Sequence, residues 1–392
     1  MKDVLRQFRD FFVSLRLTIG LLALGIALIF WATLCQSDLG VWGVQQRFFY
    51  CVFVTEKLPG TDFLLPVFPG GYLLGGFLFV NLIAAHCYRF RFTWKKSGIW
   101  LTHLGLIMLL VGGFLTSLWQ REYQLSLDEG GTKNYSESDR ACELAVIDET
   151  DPKVDRVVAI PEEFLAAGDP VQHPALPFRV LPKAYFPNAA VQMRRDAPNA
   201  PASPATAGLG PQVIATPLPP TSKEDERNLP AAYIELDGPD GSLGTWLVSA
   251  ELGMPQRFDY AGRSWRIVLR FQRRYLPFSV TLLKFSHDIY PGTDIPRNFS
   301  SRVRLSMPGQ GEREALIYMN NPLRAAGLTF YQASFANDDH TSILQVVRNP
   351  GWRLPYISCA IITAGLLVQF GITLSAFFRR RGVGAGARGQ MA

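Results

Sequence analysis

Apolar residues are gathered into four long unbroken runs, and almost everything between the third and the fourth alternates in short steps. The runs extend roughly from Leu17 to Cys35, Val67 to Tyr88, Gly98 to Trp119 and Leu354 to Phe378. A helix needs about 20 mostly apolar residues to cross a bilayer core, where backbone polar groups find partners only within the segment. The pattern therefore predicts four transmembrane helices. From about 120 to 350 the chain reads as short strands separated by turns, which predicts a mainly β domain. Tyr233–Leu236 and Thr245–Val248 flank Gly238-Pro239-Asp240-Gly241 as a hairpin. Trp265–Phe271, Phe278–Phe285, Arg302–Met307, Glu314–Met319 and Leu328–Ser334 read as further strands.

Two stretches break this scheme. Asp196–Pro230 is rich in Pro, Ala and Thr with almost no aromatic residues, so a disordered or loosely packed insertion is expected there. Gln36–Pro66 holds Trp42, Phe48, Phe49, Tyr50 and Phe53 beside few charges and is expected to lie along the outer membrane interface.

Charge gives the runs a direction. Lys2, Arg6, Arg9 and Arg16 precede the first run, Arg89, Arg91, Lys95 and Lys96 sit between the second and third, and Arg379–Arg381 follow the fourth. Cationic loops stay on the cytoplasmic side, so both termini are expected inside and the β domain outside. The formal net charge of +6 is explained by these clusters, and nucleic-acid binding is not expected. The first run has a basic start like a signal sequence, but no small-x-small cleavage site ends it and the bulky Leu34 precedes Cys35. It is read as retained. The organisation is residues 1–119 (cytoplasmic N-terminus and transmembrane helices 1–3), 120–350 (extracytoplasmic, mainly β, with 196–230 as the Pro/Ala-rich insertion) and 351–392 (helix 4 and a basic cytoplasmic tail). The fold class is thus an integral membrane α-helical protein, N-in and C-in, with a large mainly β domain inserted between helices 3 and 4.

Candidate chemistry is sparse. The five cysteines (Cys35, Cys51, Cys87, Cys142, Cys359) form no CxxC and have no metal-ligand spacing, and no nucleophile elbow, HExxH, Walker A or dinucleotide fingerprint is present. An autonomous hydrolase, kinase or thiol oxidoreductase is not expected. Two histidines fall within apolar runs: His86 near the end of the second and His103 near the start of the third. Ionisable groups inside a span are by default functional hypotheses, and neutral imidazole is an axial ligand of haem iron. The plainer reading of His86 is an interfacial polar anchor, whereas His103 lies deeper among apolar neighbours. His173, His287 and His340 lie far apart in the β domain and read as ordinary surface or packing residues. Gly70, Gly71, Gly75 and Gly76, and Gly105, Gly112 and Gly113, allow close helix approach, within this chain or to a partner.

Taken together, several segments resemble the ResB (CcsB) family of System II cytochrome c biogenesis proteins. They are Ser14-Leu15-Arg16-Leu17-Thr18-Ile19; Trp94-Lys95-Lys96 followed by His103-Leu104-Gly105; Tyr290 to Ser301; Asn320-Asn321-Pro322-Leu323; and Phe330-Tyr331-Gln332-Ala333-Ser334-Phe335. The resemblance implies a non-autonomous subunit of a cytochrome c haem lyase (synthase). It would help carry haem b across an energy-transducing membrane and present it, for thioether attachment, to the CxxCH motif of apocytochrome c. It further implies a ResC/CcsA-type partner, because no tryptophan-rich haem-handling segment is found here. His103 would be the axial haem ligand, and the metal would be held through that haem iron; His86 is the second candidate. Membrane lipid and apocytochrome c complete the expected contacts, with separate thiol-disulfide proteins keeping substrate cysteines reduced. The alternative from another class is a membrane-anchored interaction or sensor protein with a ligand-binding outer domain, in which His103 is dispensable.

Overall fold

A computed structural model describes residues 2–61, 63–88, 93–197, 201–223, 226–292, 296–309, 311–336 and 340–388. In chain order these form α1 (Lys2–Phe12), α2 (Leu15–Leu34), α3 (Gln36–Val44), the strands β1 (Phe53–Lys57) and β2 (Leu64–Pro69), α4 (Gly71–Tyr88) and α5 (Ser97–Trp119). Then come β3 (Arg121–Asp128), β4 (Thr132–Asp148), β5 (Arg156–Pro161), α6 (Glu162–Ala167), β6 (Arg179–Phe186), β7 (Ala189–Met193), β8 (Val213–Pro217), β9 (Ala231–Gly238) and β10 (Gly241–Ser249). β11 (Gln256–Tyr260), β12 (Arg263–Ile289), β13 (Pro296–Met307), β14 (Gly311–Tyr318), β15 (Leu323–Ala325), β16 (Leu328–Ala336), β17 (Thr341–Arg348) and α7 (Leu354–Arg388) complete the order. They divide into two units, residues 1–121 with 348–392, and residues 122–347.

In the first unit four helices are long and apolar enough to cross a membrane: Leu15–Leu34, Gly71–Tyr88, Trp94–Trp119 and Leu354–Arg379. The four expected spans are present, with one boundary moved. Val67 belongs to β2, which pairs antiparallel with β1, so the second span begins at Gly71. Prolines at 66 and 69 explain the shift, since proline lacks the N–H that an α-helix interior needs. The last helix runs on to Arg388, past the tail's basic cluster.

α5 and α7 pack closely because glycines at seven-residue spacing remove side chains from their contact. A Cβ at Gly98 would lie 2.5 Å from Gln369 N, one at Gly105 would lie 2.5 Å from Ile362 Cγ1 and 2.9 Å from Ser358 O, and one at Gly112 would lie 3.0 Å from Leu354 Cβ. Gly75, Gly76 and Gly113 have nothing within 4 Å of the corresponding position. These glycines thus sort into an α7-facing set (Gly98, Gly105, Gly112) and an open set (Gly75, Gly76, Gly113), while Gly70 and Gly71 meet the backbone of Cys51 and Phe49. Between α1 and α2, Ser14 is extended (φ −73°, ψ 128°) and breaks the helix. Asn81 of α4, 3 % exposed, donates to Phe12 O (2.6 Å) and Ser14 O (3.3 Å) and accepts from Thr18 Oγ1 (2.6 Å), satisfying the carbonyls freed at the break.

The second unit is the expected β domain. Its main sheet runs β14-β13-β12-β4-β3-β17-β16-β15, with β11 added on β12 and β5 on β4; β10-β9-β6 and β7-β8 form two smaller sheets. The β9–β10 hairpin turns at Gly238–Gly241 as expected. Trp265–Phe271 and Phe278–Phe285, expected as two strands, are one: β12 continues through both. The reason lies in its pairing with β4. Phe271 opposes Cys142 but Arg273 opposes Glu137, so Ser138–Ala141 bulge from β4; Tyr275 opposes Tyr135 but Val280 opposes Lys133, so Leu276–Ser279 bulge from β12. A bulge inverts which residues face inward. Accordingly the buried residues of β12 are Trp265, Ile267 and Leu269 in one core, then Leu276, Phe278, Val280 and Leu282 in another, joined by Phe285 beyond a further register shift against β13 between Leu282 and Lys284.

The insertion at 196–230 also departs from expectation. Among its described residues β8 pairs with β7 over Ala189↔Pro217 to Met193↔Val213, and Ala205, Val213 and Ala215 are buried with Ala189, Ala231, Tyr233 and Leu247. Small side chains are sufficient there because they fill the space beside Tyr233 and the β9–β10 hairpin.

Candidate histidine site in the membrane-spanning unit

α4 and α5 are successive spans, and the turn between them brings the end of one beside the start of the other. His86 stands two residues before the end of α4 and His103 six residues after the start of α5, roughly 3 and 9 Å along the axes at 1.5 Å per residue. Both therefore occupy the end of the unit that carries Lys95 and Lys96; Arg89 and Arg91 lie outside the described residues.

The rotation of α5 about its axis decides what His103 meets. Gly98 and Gly105 face α7, and His103 is displaced from them by about 140–160° at 100° per residue, so it points toward the α4 side. There its ring centroid is 5.3 Å from that of His86, with 39° between the planes. Trp100 sits edge-on to His86 at 4.1 Å. His86 is only 8 % exposed: it is packed between helices instead of reaching outward as an interfacial anchor.

His103 Nδ1 lies 2.8 Å from the carbonyl oxygen of Ile99, one helical turn back. A carbonyl only accepts, so Nδ1 is the donor in this contact; a neutral ring in that tautomer has its lone pair on Nε2. A backbone carbonyl holding one ring N–H is the usual means of fixing the tautomer and orientation of a metal-binding histidine. Among the described residues no three His, Cys, Asp or Glu gather as a metal cluster. An iron already bound by a macrocycle needs only one or two further ligands, a number a histidine pair can supply.

The other candidate residues are dispersed. His173 is exposed and accepts the amide of Ala175 (3.2 Å). His287 packs against Phe335 (4.4 Å) and Phe299 (6.0 Å), and the exposed His340 accepts the amide of Glu129 through its backbone. Of the Tyr290 to Ser301 stretch, residues 293–295 lie outside the described residues, and Ser301 is buried in a bond with Gln332 and Ser342 (2.6 Å each). Gln332 of the Tyr-Gln-x-Ser element thus serves the buried Ser301–Ser342 pair, whereas Ser334 is exposed and accepts the Gln332 amide only through its backbone carbonyl. No cysteine is paired; burial, reinforced by Glu162 and Glu143, pushes the Cys142 thiol far above its ordinary range, so it is inert. Sequence reasoning missed the part of Trp100, which was visible as a polar-capable group inside a span but whose partner depends on helix rotation, which composition does not encode.

Comparison with known proteins places the likeness in the other unit. The ResB-like family model matches residues 257–343, from β11 into β17. Protein NrfI of Wolinella succinogenes is 38 % identical over 93 residues, which is 24 % of this chain and 10 % of that protein. The chain therefore matches only about a tenth of the length of that relative. The resemblance read from the sequence is borne out over this segment: residues 257–343 are ResB-like.

Proposed function

We propose that the chain acts in cytochrome c biogenesis as a membrane subunit that receives haem b and presents it for attachment to the CxxCH motif of apocytochrome c. The ResB-like segment supports the process, and the histidine pair supports the cargo. The carrying observation is that His103 Nδ1 is held by Ile99 O while its ring stands 5.3 Å from that of His86 on α4. In this reading His103 supplies an axial bond to the iron of the cargo, and His86 is the second candidate ligand. The apolar helices exclude water from that bond, and Trp100 fixes the His86 ring from the side. A ResC/CcsA-type partner supplies what this chain lacks for thioether formation, and separate thiol-disulfide proteins reduce the substrate cysteines. With the basic clusters cytoplasmic, haem enters near His86 and His103 and the β unit faces outward, where apocytochrome c is met.

The test is the visible spectrum of the chain purified with its ResC-like partner. His103→Ala should lose the haem bands, and His103→Gly should recover them when imidazole is added. Haem bands unchanged in both variants would overturn the assignment and favour a membrane-anchored binding protein; loss in His86→Ala alone would move the ligand to His86.

A further inference from the structure

α1 is an amphipathic helix, and among the described residues nothing lies over its apolar face. Val4, Phe8 and Phe11 fall within about 60° of one another at 100° per residue, with Arg6 roughly opposite and Arg9 and Asp10 on the polar side. They are 55, 63 and 54 % exposed. Three observations say what covers them. The face is continuous in the chain with the lipid-facing surface of α2, where Leu15, Ile19, Leu22, Ile26, Ile29 and Phe30 are all exposed. The junction is fixed, because Asn81 binds the carbonyls of Phe12 and Ser14, and the Phe12 ring stacks on Phe77 at 5.9 Å. The polar side is cationic, and the Arg9 guanidinium, bonded to Asp10, stands 5.9 Å from the ring of Tyr88, an exposed tyrosine at the end of α4. A tyrosine at a span end sits at headgroup level.

We propose that α1 lies in the phospholipid headgroup layer at the membrane surface from which α2 starts, with Val4, Phe8 and Phe11 toward the acyl chains and Arg6 and Arg9 at the phosphates. Cationic amphipathic helices with one strongly apolar face bind in this plane, buried about 5–10 Å. The break at Ser14 is what lets the chain pass from lying in the interface to crossing the bilayer. The inference is independent of haem handling.

Photocrosslinking tests it. The full chain, carrying p-benzoyl-phenylalanine in place of Phe8, Phe11 or Arg6, is placed in nanodiscs of phosphatidylcholine and phosphatidylglycerol and irradiated, and its adducts are read by mass spectrometry. Adducts on phospholipid acyl chains at Phe8 and Phe11, and none on acyl chains at Arg6, are expected. Equal acyl-chain adducts at all three positions, or adducts at Phe8 and Phe11 to a second polypeptide in place of lipid, would overturn it. Retention of the far-UV signal of the unsubstituted chain verifies that each labelled protein is folded, and the two apolar positions are read separately so that either alone tests the face.

Discussion

Replacing Arg270 by methionine should unsettle the β unit far more than loss of an ordinary ion pair. Arg270 on β12 lies directly opposite Glu143 on β4, and its Nε and Nη2 both donate to Glu143 Oε1 at 3.0 and 2.9 Å. The side chains are only 11 and 5 % exposed, so the pair is desolvated. Arg270→Met leaves a buried carboxylate without its counter-charge, which costs about 3–5 kcal/mol; replacing both partners by apolar residues of similar volume is often neutral or stabilising. For a unit of this size each kcal/mol moves the thermal midpoint by about 2–4 °C, so the single variant should melt roughly 6–20 °C lower. Arg270→Met combined with Glu143→Leu should recover most of that loss, giving a coupling of about 3 kcal/mol or more in the double-mutant cycle. The assay is the far-UV β-sheet signal of the full chain in nanodiscs during heating. A single variant within about 1 kcal/mol of the parent, as for an exposed pair, would refute the reasoning. So would a double variant as unstable as the single.

Gly105→Ala should destabilise the α5–α7 pair by about 1–3 kcal/mol, because its Cβ meets the fixed backbone oxygen of Ser358 at 2.9 Å; Gly113→Ala, in open space, should be neutral or better. Titration of both proteins with SDS in bicelles distinguishes them. Asn81→Leu forfeits three hydrogen bonds inside the membrane unit, worth roughly 2 kcal/mol in all at about 0.6 each, and the same titration reads it. In the β unit, the hydroxyl and amide of Thr150 hold the Asp148 carboxyl below its ordinary range, and Lys183 and Ser242 do so for Glu235. A depressed folded value contributes stability above the unfolded pKa of about 4 that is lost as pH falls through the folded one. Melting curves collected below about pH 5 should therefore fall with acid, and Asp148→Asn should flatten that fall.

The spans were legible because twenty apolar residues in a row have few other uses, and the hairpin because Gly238-Pro239-Asp240-Gly241 punctuates two alternating runs. β12 was misread as two strands for a physical reason. Its inward positions are odd-numbered through Leu269, even-numbered from Leu276 to Leu282 and odd again at Phe285, and a reader following alternation sees breaks where the chain has only bulged. The stretch 196–230 was misread because composition reports how much apolar surface is available, and Ala205, Val213 and Ala215 need very little beside Tyr233. At the histidine site the sequence showed two ionisable groups at one end of two spans. That their rings stand 5.3 Å apart depends on the glycines of α5 fixing its rotation against α7, a helix more than 200 residues later.

That separation has a consequence in time. About 230 residues lie between Trp119 and Leu354, and at about 5–20 residues per second a ribosome needs roughly 12–46 s to make them. Throughout that interval the Gly98, Gly105 and Gly112 face of α5 has no α7 to close on, and His103 has no fixed bearing toward His86. The two histidines, made before the β unit, are set in place by a helix synthesised after it.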